Sequence, residues 1–151
     1  MMLLSPFPAF AEESGAKAAF SHLIRCIGAR NAPACRGLLT ADSVELYNRF
    51  VDYGLMQCVP SGIDYVSQQR ADPYVIIRAG VVTGGVRRFM RLIFAREAGN
   101  WKLDVPESLR AALGEKWRQR VALTEQLYIA LRQQMGPLQN CAMVQRMVSA
   151  N

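Results

Sequence analysis

The sequence is poor in several things, and each shortage narrows what the chain can be. No stretch approaches the ~20 apolar residues needed to cross a bilayer as a helix, which excludes a membrane-spanning helix. There is a single histidine, His22, and the four cysteines contain no C-x-x-C pair, so neither a structural zinc nor another metal is expected. The G-x-S-x-G, Walker A, H-E-x-x-H and Rossmann patterns are all missing. Gly84-Gly85 is followed by strand-forming residues and reads as a turn rather than a phosphate cradle, and no cofactor is expected. Acidic residues are few: 12 Asp and Glu stand against 18 Lys and Arg, a net charge of +6, and 15 of the bases are Arg. The charges are scattered, with Arg87-Arg88 the one adjacent basic pair. That distribution predicts a solvated surface and gives no support for a nucleic-acid partner.

What is present is enough for one folded domain. Of 151 residues, 51% are hydrophobic and 20% charged, a balance that argues against wholesale disorder and for a sizeable core. Residues 1–11 carry no charge and end in Ala9-Phe10-Ala11, a small-x-small pattern like a signal-peptidase site. The expectation is export to the periplasm or beyond, from a leader or its remnant lacking a basic start; a cytoplasmic protein is the alternative. Cys26 and Cys35 flank the helix break at Asn31-Ala32-Pro33, so an αα-hairpin could join them. Cys58 and Cys141 would then tie the tail to the middle of the chain. The alternative is four buried thiols.

Ala16, Ala19, Phe20, Leu23, Ile24 and Ile27 form the stripe of an amphipathic helix from Ser14, with His22 and Arg25 opposite. Gly28 ends it and Asn31 can cap a successor. A short helical turn is expected at Leu38-Leu39, and a third helix from Thr40 to about Phe50. After Pro60-Ser61-Gly62 the pattern changes to strands. Ile63 to Gln69, Tyr74 to Val82, Val86 to Arg96 and Trp101 to Val105 are separated by Asp72-Pro73, Thr83-Gly84-Gly85 and Glu97-Ala98-Gly99-Asn100. In the longest strand Met90, Leu92 and Phe94 share one face, while Arg87, Phe89, Arg91 and Ile93 share the other. From Pro106 a helix is expected to run to Met135, with Trp117, Val121, Thr124, Tyr128, Leu131 and Met135 at heptad spacing. A weak final helix is expected over Leu138 to Val148. The order predicts an α+β domain: N-terminal helices packed on a curved antiparallel sheet of about four strands, plus a long C-terminal helix. The expected division is residues 12–106 as the α+β domain and 107–151 as a helical extension.

Three local features resemble the NTF2-like, or cystatin-like, superfamily. They are the opening helix followed by Leu38-Leu39-Thr40-Ala41-Asp42-Ser43, the long hairpin across Thr83-Gly84-Gly85, and Gly99-Asn100-Trp101-Lys102-Leu103-Asp104-Val105-Pro106. The resemblance covers roughly Ala16 to Pro106, and the helix after Pro106 departs from it. It implies a bent sheet wrapped around the first helix into a conical pocket, in a superfamily holding both enzymes and non-catalytic binding proteins.

Acid–base chemistry in such a cone would need a base and an oxyanion donor converging inside it. Asp52, Tyr53, Asp64 and Tyr65 are the candidates, with Asp104 and His22 as lesser ones. Strand neighbours point to opposite faces, so each Asp-Tyr pair offers one pocket group at most. The favoured expectation is therefore non-catalytic binding of a small apolar ligand or a protein partner. Phe20, Leu23, Ile24, Met90, Leu92 and Phe94 would line the pocket, unless they simply fill a solid core. Trp117, Val121, Tyr128, Leu131 and Met135 would pack on the sheet or form an interface, a homodimer among the options.

Overall fold

The structure is a computed structural model that describes residues 8–29, 31–52, 62–83 and 85–135. The first helix, α1 (Pro8–Gly28), begins earlier than the expected Ser14. Proline suits a first helical turn, where its missing N–H would have had no partner, and Ala9 to Glu13 contain no breaker. Ala9-Phe10-Ala11 therefore lies within the start of α1. Asn31 caps α2 (Ala32–Arg36): its Oδ1 accepts the Ala34 N–H at 3.3 Å.

Leu38-Leu39 is not the helical turn expected. The helix stops at Arg36, and Leu39 forms a parallel bridge with Leu103. The Leu103 N–H donates to Leu38 O at 2.9 Å, and the Thr40 N–H donates to Leu103 O at 3.0 Å. A sheet edge whose backbone groups would otherwise lack partners captures this segment, and Leu39 becomes buried there. The next helix, α3 (Ala41–Asp52), starts against Glu97, whose carboxylate accepts the Ala41 N–H at 3.0 and 3.2 Å.

The meander forms as expected. β1 (Ile63–Ala71), β2 (Tyr74–Thr83), β3 (Val86–Glu97) and β4 (Asn100–Leu103) make one antiparallel sheet in the order β1-β2-β3-β4. The β1–β2 turn holds a cis Asp72–Pro73 bond, and β1 carries a bulge between Tyr65 and Ser67. One face packs on α1. Ala16, Phe20 and Leu23 meet Val75, Ile77, Ala79 and Phe94, and Ile77 and Phe94 are 0% exposed. Burial of this kind stabilises by roughly 1.5–3 kcal/mol per large side chain.

The C-terminal region is two helices, not one from Pro106 to Met135. Asp104 caps α4 (Val105–Leu113), accepting the Glu107 N–H at 3.1 Å. Gly114 then takes φ +85°, a backbone state that side-chain-bearing residues avoid, and the axis breaks. Its N–H closes α4 on Arg110 O at 2.8 Å, and its carbonyl accepts the Trp117 N–H at 3.1 Å to open α5 (Trp117–Met135). Cys26 and Cys35 are joined by a disulfide that links α1 to α2, surrounded by Ile27, Leu38, Tyr47 and Phe50. Cys58, Cys141, the second proposed bridge and the expected helix over Leu138–Val148 lie outside the described residues. No helix among the described residues is long and apolar enough to cross a membrane.

Candidate functional site

The side of the sheet that faces α1 is occupied by the protein itself. Phe20, Leu23 and Phe94 are buried in the core, and Ile24, Met90 and Leu92 pack against it. The six residues expected to line a pocket thus meet one another across the helix–sheet interface.

The candidate acid–base residues do not come together. Asp64 stands opposite Gly80 on the sheet's other face, where Oδ2 accepts from Arg87 Nη2 at 2.7 Å. Tyr65 points the opposite way, as strand alternation requires; its ring meets Phe20 edge-on at 6.1 Å, with Lys17 Nζ 4.5 Å from its centroid. Asp52 is not on a strand: it ends α3 and is exposed. Tyr53 lies outside the described residues. Asp104 is committed to capping α4, and His22 is exposed on α1. Among the described residues no three His, Cys, Asp or Glu side chains gather as metal ligands.

Two concavities remain. One, of about 670 Å3, lies between α3, α4 and α5, with Tyr74 and Trp117 in its wall. Its charges are largely matched to one another. Arg49 reaches Glu125 at 3.5 Å and Glu45 at 3.9 Å, and Arg110 holds Glu107 at 2.6 Å. Burial, helped by the Glu107 and Asp104 carboxylates, raises the Tyr74 phenol above its ordinary 10.0, against the opposing pull of Arg110. Trp117 and Tyr128, two of the expected interface residues, are buried within the chain, and Val121 is half-buried beside the groove. The side chains of Leu131 and Met135 lie outside the described set. What α5 exposes instead is Leu123, Leu127 and Ile129.

The other concavity is an open depression of about 590 Å3 on the face of the sheet away from α1. Ser67 and Gln69 of β1, Ile76 and Arg78 of β2, and Phe89 and Arg91 of β3 line it. Arg78 lies directly opposite Arg91, and Gly80 opposite Phe89. The Arg78 guanidinium stacks 4.1 Å from the Phe89 centroid and that of Arg87 5.3 Å from it, yet Phe89 remains 49% exposed. α4 packs on β3, and Ile93 on the same face as Phe89 is buried, while Val82 and Phe89 stay open. Sequence reading placed Arg87, Phe89 and Arg91 on one face but missed Arg78. The signal was available: a two-residue turn at 84–85 pairs Thr83 with Val86, and counting back sets Arg78 against Arg91.

No family model, curated protein or solved structure matches this chain.

Proposed function

We propose that this is an exported, non-catalytic binding protein of NTF2-like layout that takes a protein partner on its outside rather than a small ligand inside a cone. One observation carries the reading. The helix-facing side of the sheet is filled by Phe20, Leu23, Ile77 and Phe94, whereas the opposite side leaves Val82 and Phe89 open to solvent. Large apolar side chains grouped with arginines on an uncovered sheet are a usual composition for a protein-binding surface. The NTF2-like layout is supported by contact between two of the segments that carry the resemblance: Leu38 and Thr40 are bonded to Leu103 through the backbone, and Ser43 Oγ accepts the Val105 N–H. Export is supported by the Cys26–Cys35 bridge, since disulfides persist in oxidising compartments.

The test is site-specific photo-crosslinking in the native host, with benzoylphenylalanine at Phe89 and, separately, at Leu123. A discrete crosslinked protein at either position is expected. Absence of a product at both positions overturns the reading, as does a reproducible melting-temperature rise with apolar small molecules.

A further inference from the structure

The geometry points to a specific chemistry for that partner: the open sheet face recognises an acidic protein segment, whose carboxylates are held by Arg78 and Arg91. This rests on the protein-binding reading above and deepens it.

The two arginines are an arrangement the sheet alone does not favour. Like charges directly opposite on neighbouring strands repel, and Arg78 and Arg91 are such a pair. Neither has an acidic neighbour among the described residues. On the same face Asp64 is taken by Arg87 at 2.7 Å, and Glu97 by Lys102 at 3.6 Å and by the start of α3. Residues 1–7, 53–61 and 136–151 contain no Asp or Glu, and Glu12 and Glu13 belong to α1, the helix on the other face of the sheet. The complement to this charge therefore comes from another molecule.

The surface is also prepared for carboxylates. The Arg78 guanidinium, a planar fork of donors, lies over the Phe89 ring at 4.1 Å, a contact that restrains this long side chain before a partner arrives. A carboxylate accepts such a fork through two parallel bonds. Ser67 and Gln69, along the same depression, add neutral hydrogen-bonding groups for a peptide backbone. A nucleic acid fits less well. Bases need a free aromatic face to stack on, and Phe89, the one aromatic residue of the depression, is already overlaid by two guanidinium groups.

The experiment uses the full chain and measures fluorescence anisotropy of a labelled deca-glutamate peptide, with a thymidine ten-mer as the competing probe. The double variant Arg78→Gln/Arg91→Gln is expected to weaken peptide binding about tenfold. The charge-matched control Arg25→Gln/Arg132→Gln, on exposed helical positions, is expected to change it less than about twofold. Arg91→Lys, which keeps the charge but loses the fork, should weaken binding by about threefold. Equal losses in both double variants overturn the proposal, as does no peptide binding by the parent chain. Tighter binding of the oligonucleotide through the same arginines also overturns it. A crosslinked partner at Leu123 that is insensitive to the Arg78/Arg91 change would sink the acidic-segment proposal and leave the protein-binding reading standing. Absence of crosslinks at both positions would remove the reading itself.

Discussion

Asp64 on β1 and Arg87 on β3 meet at 2.7 Å across the full width of β2, over the one position, Gly80, that has no side chain to part them. A Cβ at Gly80 would stand 2.9 Å from both Asp64 Oδ1 and Arg87 Nη2. Asp64, one of the candidate bases, is thereby a charge partner on the open face. It neutralises one of the arginines around Phe89 and leaves Arg78 and Arg91 uncompensated.

The first prediction concerns this pair. Both side chains are more than half exposed, so the bridge contributes at most about 1 kcal/mol. Gly80→Ala removes it by displacing two flexible tips, and the lost bridge is offset by the roughly 0.5–1 kcal/mol gained when glycine leaves a strand. Urea unfolding should show a net change below about 1 kcal/mol, together with a weaker salt dependence of stability. A loss several times larger would mean that backbone, not side-chain tips, fills the space above Gly80.

Ser43 should behave very differently. It is 0% exposed, and its hydroxyl accepts the Val105 N–H at 2.8 Å, sits 2.6 Å from Thr40 Oγ1 and reaches Leu103 O at 3.3 Å. Ser43→Ala leaves the Val105 N–H without that partner where α3 meets the start of α4. A loss of about 1–3 kcal/mol is expected in chemical denaturation, with Ser43→Thr less harmful only if its added methyl is accommodated. A near-neutral Ser43→Ala would show that another group satisfies Val105.

The Cys26–Cys35 bridge closes a short loop, with a sequence separation of 9. In the chain-entropy account a loop of this size is worth about 2–3 kcal/mol. Reduction, or Cys26→Ala/Cys35→Ala, should lower the denaturation midpoint accordingly. Hydrogen exchange should rise first in α2, which depends on the bridge for its attachment to α1. Unchanged stability after reduction would refute this role.

Alkaline pH offers a further test. Burial raises the phenols of Tyr47 and Tyr74 above their ordinary 10.0, with Arg36 opposing at Tyr47, and Arg110 opposing and two carboxylates assisting at Tyr74. In this window the folded chain holds its phenolic protons more tightly than the unfolded chain. The associated stability is present below pH 10 and is lost as pH rises through the folded values. Stability should decline above about pH 10, and the decline should be shallower in Tyr47→Phe/Tyr74→Phe. An identical alkaline limb in that variant would assign the effect to other groups.

Much of the fold was legible because local rules and tertiary packing agree. The stripe Ala16-Phe20-Leu23 has helical period, Val75-Ile77-Ala79 alternates, and Asp72-Pro73 and Gly99-Asn100 punctuate the chain, so each element follows from its own residues. Where reading failed, a distant partner decided. Leu38-Leu39 has helix-forming residues but is drawn into register with Leu103, sixty-odd positions away. The break at Gly114 was visible as a residue, yet one helix was expected to run across it from Pro106 into the heptad that begins at Trp117. Carried back from Trp117, the seam's spacing falls on Gly114, Arg110 and Glu107 rather than on Leu109 and Leu113, and the positive φ of Gly114 marks the turn between two separate helices.

The sequence by itself determined the α+β order, the antiparallel meander and the excess of arginine, and it offered Cys26–Cys35 as one possible bridge across a helix break. All of these follow from short-range periodicity, turn chemistry and composition. Only the tertiary structure decided that the helix-facing side of the sheet is filled, that Asp64 answers Arg87 rather than a substrate, and that Arg78 and Arg91 face each other beside Phe89 with no carboxylate partner among the described residues. Those facts depend on strand register and on which face a helix covers, and both are settled by contacts between residues far apart in the chain.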